Sequence, residues 1–129
     1  MKKIVLFMLL ALAFGAAYPK AKAGKAKMRF TETLWDFGNI KEKGGPATHE
    51  FEFVNDGDGN LMILDATAQC GCTKPEYSDK PIAPGKTGKI KVTYNPIGRP
   101  GSFEKTVTVR TNGDPKKLTL KIRGAVVRN

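Results

Sequence analysis

Short stretches in which apolar and polar residues alternate recur along this chain, and they constrain its fold more than any other feature. Phe51 and Phe53 alternate with Glu50 and Glu52, and the same pattern recurs at 90–94, 103–109 and 118–122. Successive side chains of a strand point to opposite faces, so a period of two predicts half-buried strands. No stretch after the N-terminal apolar run has the 3.6-residue period of a helix. We therefore predict an all-β protein.

Clusters of Gly, Pro, Asn and Asp separate these stretches. The densest cluster is Asn-Asp-Gly-Asp-Gly-Asn at 55–60, which predicts a hairpin turn between two neighbouring strands. About seven short strands separated by such turns predict an antiparallel β-sandwich of the immunoglobulin-like kind. The two cysteines of this chain are one residue apart, so the sheet-to-sheet disulfide of antibody domains is excluded.

Three local patterns predict where parts of the sandwich lie. Residues 61–68 are apolar on both faces, which predicts a central strand, whereas prolines after the cysteines forbid a regular central strand there. Trp35 is expected to anchor the core. Residues 24–27 are polar and predict a frayed start of the domain.

The first 23 residues have the pattern of a secretory signal peptide. Two lysines precede an apolar run of 11 residues at 4–14. A helix that spans a membrane needs roughly 18 residues or more, so the run is too short for an anchor. Residues 1–23 are therefore predicted to be a cleaved signal peptide and residues 24–129 the single domain. The first cysteine is Cys70, far from the leader, so we expect no lipid at the new N-terminus.

Small residues at a spacing of two suggest two cleavage sites. Ala21 and Ala23 predict cleavage before Gly24, and Gly15 and Ala17 offer a second site before Tyr18. We expect the mature protein in the periplasm or outside the cell.

Charge argues against nucleic acid as the partner. The leader carries four of the 22 basic residues and none of the 12 acidic ones, so the formal net charge falls from +10 to +6 on its removal. That excess is spread along the chain without a basic run, which is a poor basis for binding nucleic acid.

The motif Cys70-Gly71-Cys72-Thr73 is the only one with reactive potential. Alternate residues of a strand lie roughly 6.6 Å apart at Cα, at the outer limit of the 4.4–6.8 Å typical of disulfides. A strained disulfide that exchanges with thiols is one interpretation. Two thiolates that bind a soft metal, Cu(I) or Zn²⁺, with further ligands from a partner or a second copy are another. The third is a pair of small, buried hydrophobic side chains.

The acidic turn imitates the start of a calcium-binding loop without completing it. Asp56, Asp58 and Asn60 have the right spacing, but Leu61 and Thr67 stand where a calcium loop needs Gly and Glu. We therefore expect a turn and no calcium.

No catalytic site is predicted elsewhere in the chain. His49 is the only histidine, and the two serines lack the motif context of a nucleophile. The sequence has no paired-carboxylate signature and no phosphate-binding glycine loop. We expect a strand histidine at a sheet face, no cofactor and no enzymatic activity, apart from a possible thiol redox role of the cysteines.

Several short motifs in a fixed order carry a resemblance to a known family. They are Trp35-Asp36-Phe37-Gly38, Phe51-Glu52-Phe53-Val54-Asn55-Asp56-Gly57, Cys70-Gly71-Cys72-Thr73, Pro81-Ile82-Ala83-Pro84-Gly85, Val92-Thr93-Tyr94-Asn95, Gly101-Ser102-Phe103-Glu104-Lys105, Val109-Arg110-Thr111-Asn112 and Ile122-Arg123-Gly124-Ala125-Val126. Over about residues 30–127 the chain resembles DUF1573, a family of bacterial domains of unknown function common in envelope proteins.

The resemblance implies an immunoglobulin-like sandwich, similar to hydin and major-sperm-protein domains. It implies no enzymatic activity and brings no catalytic residues. Only Cys70 and Cys72 match a family hallmark, whose role is unsettled.

Taken together, these patterns predict an exported, non-enzymatic β-sandwich that binds another envelope or secreted protein at its edges or end loops. It has no transmembrane segment once the leader is removed. The alternative is a thiol redox or soft-metal (copper or zinc) protein that acts through Cys70 and Cys72.

Overall fold

A computed structural model describes residues 24–128, and every regular element in that range is a β-strand. The eight strands are β1 (Met28–Phe30), β2 (Leu34–Lys41), β3 (Ala47–Asn55), β4 (Ile63–Ala68), β5 (Thr73–Tyr77), β6 (Thr87–Tyr94), β7 (Gly101–Thr111) and β8 (Lys117–Val127). The prediction of an all-β protein is confirmed for this range. The range also holds no helix that could cross a membrane. The predicted signal peptide, residues 1–23, lies outside the described residues.

The strands form two four-stranded sheets, in the orders β1-β3-β6-β5 and β2-β8-β7-β4. Named A to G in chain order without β2, the first sheet is A-B-E-D and the second contains G-F-C, which is the arrangement of a constant-type immunoglobulin sandwich. The strand β2 is added at the edge of the second sheet.

The turn pattern predicted a wholly antiparallel sandwich, but the structure contains one parallel pair of strands. β2 pairs in parallel with β8, while the other strand pairs are antiparallel. The three residues between β1 and β2 carry the chain from one sheet to the other without reversing it. With β1 and β2 as separate strands, the structure has eight strands, against about seven predicted.

The core lies between the two inner faces, where the alternating apolar residues meet. Phe51 and Phe53 on β3 are 0% and 1% exposed, and the apolar residues of the matching pattern on β6 are equally buried. The predicted facing of β3, β6, β7 and β8 is therefore confirmed. Burial of one such side chain contributes about 1.5–3 kcal/mol.

Trp35 does not anchor the core. It is 37% exposed, because β2 is an edge strand and contacts a partner on one side only. Its indole ring stacks on the imidazole ring of His49, with the ring centres 3.9 Å apart.

The segment 61–68 also differs from its prediction. Its regular part, β4, is an edge strand and not a central one, and Leu64 is 57% exposed. The turn at 55–60 is not a hairpin, because β3 and β4 belong to different sheets. The chain changes sheets before β4 and again after it. The segment 56–62 is named the first crossover and the segment 69–72 the second crossover.

Candidate functional site

The Cys70-Gly71-Cys72 motif forms the second crossover, which takes the chain from the edge of one sheet to the edge of the other. The Thr73 amide donates a hydrogen bond to the Cys70 carbonyl over 3.2 Å, which closes a turn. The structure pairs the two cysteines as a disulfide, with their Cα atoms 5.3 Å apart. The distance is shorter than the strand geometry predicted because the chain turns at Gly71.

The two sulfur atoms have different surroundings. Cys72 is 4% exposed and belongs to the core, whereas Cys70 is half-buried. The Cys72 amide donates to the Cys70 Sγ atom over 3.1 Å. The Cys72 Sγ atom lies 3.5 Å from the Thr73 hydroxyl. Each sulfur atom therefore has its own polar neighbour, and Cys70 is the more exposed residue of the two.

No metal-binding cluster surrounds the pair within residues 24–128. No group of three Cys, His, Asp or Glu side chains is placed to hold an ion there. Two thiolates are fewer ligands than the four of a structural zinc site. A metal would need ligands from another molecule.

The second crossover is hydrogen-bonded to the loop after β6, next to a stacked pair of aromatic rings. The Asn95 amide donates to the Cys72 carbonyl over 2.9 Å, which ties the crossover to the loop after β6. The neighbouring Tyr94 ring stacks on Phe103, with centres 3.9 Å apart. Burial raises the pKa of the Tyr94 phenol, and the charge of Arg99 opposes that rise. The phenol is therefore neutral at physiological pH.

Strand β4, between the two crossovers, presents apolar side chains to solvent. Leu64 is 57% exposed, and Met62, the residue before the strand, is 36% exposed. Ile63 pairs with Thr111, and the next paired residue of β4 is Asp65, so Leu64 is the extra residue of a β-bulge. Bulges change the direction in which a side chain points. Here the bulge directs a leucine outward from an edge.

The other three edge strands carry features that hinder the addition of a further strand. β1 has only three residues, and β2 has an irregular register between Asp36 and Asn39. β5 contains Pro75, which has no amide hydrogen, between the charged side chains of Lys74 and Glu76. Short, bulged or proline-containing charged edges are the usual means of preventing edge-to-edge pairing. β4 also has a bulge, at Leu64, but it contains neither proline nor lysine, and its residues beyond the bulge pair regularly with β7.

His49 belongs to a cluster that the sequence did not predict. Its Nε2 atom lies 2.6 Å from the Glu32 Oε1 atom, and its ring lies between Trp35 and Phe51. These neighbours are a carboxylate and two aromatic rings, and none of them is a hydroxyl or a thiol. Glu32 lies in the link between β1 and β2, so only that change of sheet brings it to His49.

The first crossover is organised by Asn55, the last residue of β3. Its side chain is fully buried, and its Oδ1 atom accepts hydrogen bonds from the amides of Lys27 and Gly57. Its Nδ2 atom donates to the carbonyls of Gly59 and Ile82, each over 2.7 Å. The side chain therefore joins the N-terminal segment, its own loop and the segment before β6.

The acidic residues of the first crossover make contacts within the chain. Asp56 pairs with Arg29 at 3.2 Å, and the Asp58 Oδ1 atom accepts the Lys25 amide over 2.7 Å. The N-terminal segment is thereby ordered, so the predicted frayed start is wrong. Ala26 is 5% exposed. The backbone of the segment makes these hydrogen bonds, so its polar side chains gave no sign that it is ordered.

A shallow groove of about 510 Å³ on the outer face of β2, β8 and β7 has balanced charges. A hydrogen bond from the Gly38 amide, together with Arg123, lowers the pKa of Asp36. A hydrogen bond from Lys121 lowers the pKa of Glu104. Each carboxylate is paired, so the groove has no strong charge with which to bind an ion.

Comparisons with known proteins identify a family and a fold. The model of a family described as protein of unknown function (DUF1573) matches residues 28–126. No curated protein matches the chain significantly. A solved structure of a protein of unknown function from Porphyromonas gingivalis W83 is similar with a TM-score of 0.70 and 17% identity, over 85% of this chain and 51% of that chain.

Two enzymes contain a similar fold. The VesB protease of Vibrio cholerae matches with a TM-score of 0.63 and 11% identity, over 79% of this chain and 32% of that one. A GH5 xyloglucanase of Bacteroides ovatus matches with a TM-score of 0.52 and 10% identity, over 78% and 19%. This chain thus spans about half the length of the first structure and a third or less of the enzymes. Identities this low show the fold alone.

Proposed function

We propose that this chain, which belongs to the DUF1573 family of proteins of unknown function, is an exported, non-enzymatic module that binds a partner protein at strand β4. The supporting observation is the exposure of Leu64, which is 57% exposed at the bulge of an edge strand. The export of the chain is supported by the pattern of residues 1–23 and not by the described structure.

The proposed partner contributes an extended segment that adds to β4. An edge strand offers backbone donors and acceptors on its open side, and side chains of alternate residues supply the specificity. Met62 and Leu64 would contact apolar side chains of the added segment. The bulge interrupts pairing at Leu64, so regular pairing is expected along residues 65–68.

Photo-crosslinking in the producing organism tests this proposal. A photoreactive amino acid is placed at position 64 in one variant and at position 97 in a second. Ile97 is a matched control, because it is 65% exposed but lies in the loop after β6. We expect one defined adduct from position 64 and none from position 97.

A second change makes the test specific for β4. Met62→Glu should remove the adduct at position 64 while leaving the melting temperature unchanged, because the side chain at position 62 is exposed. Adducts of equal yield from positions 64 and 97, or an adduct that is unaffected by Met62→Glu, would contradict the proposal. An adduct with twice the mass of the chain would identify a second copy as the partner.

Thiol–disulfide exchange at Cys70 and Cys72 is the second candidate function, favoured by the unequal burial of the two cysteines. A small thiolate would attack the Sγ atom of the more exposed residue, Cys70, and form a mixed disulfide. The Cys70–Cys72 bond would break, and its electron pair would leave on the Cys72 Sγ atom, 3.5 Å from the Thr73 hydroxyl.

A second thiolate would then attack the sulfur atom of the small thiol in the mixed disulfide. The Cys70 thiolate would be released, and the Cys72 amide is placed to donate to it. Two small thiols are thus oxidised to their disulfide while the protein disulfide is reduced to two thiols. Donors to a thiolate lower its pKa and make it a better leaving group.

Intact mass after equilibration with glutathione buffers, with and without alkylation, tests this candidate. We expect a mixed disulfide at Cys70 and none at Cys72. Thr73→Val should slow exchange, whereas Thr48→Val, on the outer face of β3, should not. A pair that stays oxidised across the range of the buffers would exclude the redox role. A reduced pair that binds one equivalent of copper or zinc would favour the metal role instead.

A further inference from the structure

The N-terminal segment 24–27 lies in a slot formed by glycines of two loops. A Cβ atom at Gly57, Gly59 or Gly113 would lie closer than 3.0 Å to backbone atoms of the segment. The absence of three side chains therefore makes the room that the segment occupies. The glycines therefore make room for the backbone of the segment.

Backbone hydrogen bonds hold the segment along both walls of the slot. The Asp58 amide donates to the Lys25 carbonyl over 3.0 Å, and the Asp56 amide donates to the Lys27 carbonyl over 2.8 Å. From the opposite loop, the Asp114 amide donates to the Ala26 carbonyl over 3.0 Å. The segment is thereby fixed up to its first described residues.

The slot ends at Asp58, against which Gly24 packs. A Cβ atom at Gly24 would lie closer than 3.0 Å to the Asp58 carbonyl oxygen and to its Oδ1 atom. The same Oδ1 atom accepts the Lys25 amide over 2.7 Å. Gly24 therefore has no room for a side chain, and its backbone lies beside a carboxylate.

We infer that cleavage between Ala23 and Gly24 creates an α-ammonium group that binds the Asp58 carboxylate and completes the first crossover. This inference rests on the proposed export of the chain. An ammonium group has three donors and a positive charge, which suit an end of the slot rich in oxygen acceptors. In the uncleaved chain, the Gly24 nitrogen is an amide with one donor and no charge.

Among the acidic residues around the slot, Asp58 is the one whose carboxylate accepts a hydrogen bond from the segment's end, at the Lys25 amide. A cavity of about 410 Å³ beside the segment is lined by Lys25, Asp114 and Lys116 among other residues. Asp114 is bound to the segment through its backbone, two residues further along at Ala26. The inference also chooses between the two cleavage sites. Cleavage before Tyr18 would leave six residues ahead of Gly24, with two lysines and no terminal charge at the slot.

A double-mutant cycle on protein processed and purified from its producing organism tests the binding of the new terminus. The first change inserts Ala-Ser between Ala23 and Gly24. The two added residues displace the terminus from the slot. The insertion should therefore lower the melting temperature by a few degrees relative to the protein without it. The second change is Asp58→Asn, which should lower it by a similar amount. With both changes, we expect no further loss, because they remove the same ion pair.

Asp56→Asn is the matched control, because Asp56 lies in the same loop and pairs with Arg29. In that background the insertion should keep its full effect. Additive losses from the insertion and Asp58→Asn would overturn the inference, and so would a native N-terminus at Tyr18. Edman sequencing that finds Met1 would instead refute cleavage of the leader, on which the inference depends. A terminus at Gly24 with additive losses refutes only the ion pair and leaves the proposed binding at β4 to the crosslinking test.

Discussion

The two crossovers at the ends of β4 both take the chain from one sheet to the other, but different kinds of bond hold them in place. In the first, a fully buried Asn55 side chain joins segments 28 and 27 residues away in sequence by hydrogen bonds. In the second, a disulfide joins two cysteines that are two residues apart. The covalent bond is the stronger of the two, but it constrains only its own turn. The weaker bonds organise distant parts of the chain, so the first crossover should contribute more to stability.

The glycines of the two crossovers show the same difference. Gly57 lies against the backbone of the N-terminal segment, whereas a Cβ atom at Gly71 would have no neighbour within 4 Å. The first crossover is a packed interface, and the second is a surface turn closed on itself. Substitutions can test each side of this comparison.

Asn55→Ala should have the largest effect, a loss of about 3–5 kcal/mol of the free energy of unfolding, because it leaves several buried backbone groups without partners. Urea denaturation measures this loss. Phe53→Ala, two residues earlier, provides a scale, since a core Phe→Ala change costs about 3–5 kcal/mol. Asn95→Ala, at an exposed loop, should cost under about 1 kcal/mol. If Asn55→Ala costs no more stability than Asn95→Ala, the first crossover does not contribute more to stability than the second.

The next largest expected effect is the difference in stability between the Gly57→Ala and Gly71→Ala variants. The added methyl group at position 57 must displace backbone, which costs about 1–3 kcal/mol, as in other overpacked sites. At position 71 it enters open space, and the change should stay within about 0.5 kcal/mol. Thermal unfolding of the two variants measures the difference. Equal losses would show that the first crossover is not the tighter of the two.

Replacing both Cys70 and Cys72 by Ser should have a smaller effect, about 1–2 kcal/mol. A loop with one intervening residue restricts the unfolded chain little, so the disulfide removes little entropy. The Thr73 hydroxyl can accept or donate a hydrogen bond to Ser at position 72. A loss of about 3 kcal/mol or more in urea would mean that burial of Cys72 dominates, as packing losses do.

Reduction of the disulfide should have the smallest and most local effect. Amide hydrogen exchange of Cys72 and Thr73 should become faster in a reducing buffer, because the turn opens locally. The amides of Asp56 and Asp58 bind the N-terminal segment and should keep their protection. Faster exchange in both crossovers would show that β4 transmits the change from one to the other.

The parts of the fold that sequence predicted correctly depend on local periodicity. The alternation at Phe51 and Phe53 places these rings inside, because neighbouring residues of any strand face opposite ways. Such signals need only a few consecutive residues to be read.

The predictions that failed concern which strands become neighbours. Trp35 and the segment 61–68 are apolar enough for the interior, yet both lie at sheet edges. Apolar content does not distinguish an edge from a centre, because the difference depends on how many partner strands are present. The turn at 55–60 has the composition of a hairpin but connects two sheets. Its composition does not show which strands it will join.

The candidate site divides in the same way. Sequence named Cys70 and Cys72, because a close pair of thiols is visible in any arrangement of the chain. It did not reveal the unequal burial of the two cysteines, the Glu32–His49 contact or the outward Leu64. Each of these depends on residues brought together by the sheets.

For this chain, residue order alone was sufficient for the all-β class, the inward faces of four strands and the close pair of cysteines, because each depends on neighbours a few positions apart. The pairing of sheets made one edge apolar and open, placed the disulfide at a change of sheet, and formed a glycine slot for the N-terminal segment. These features join residues such as Lys25 and Asp58, 33 positions apart. Contacts at that separation are selected by the packing of the whole sandwich, and no local pattern encodes them.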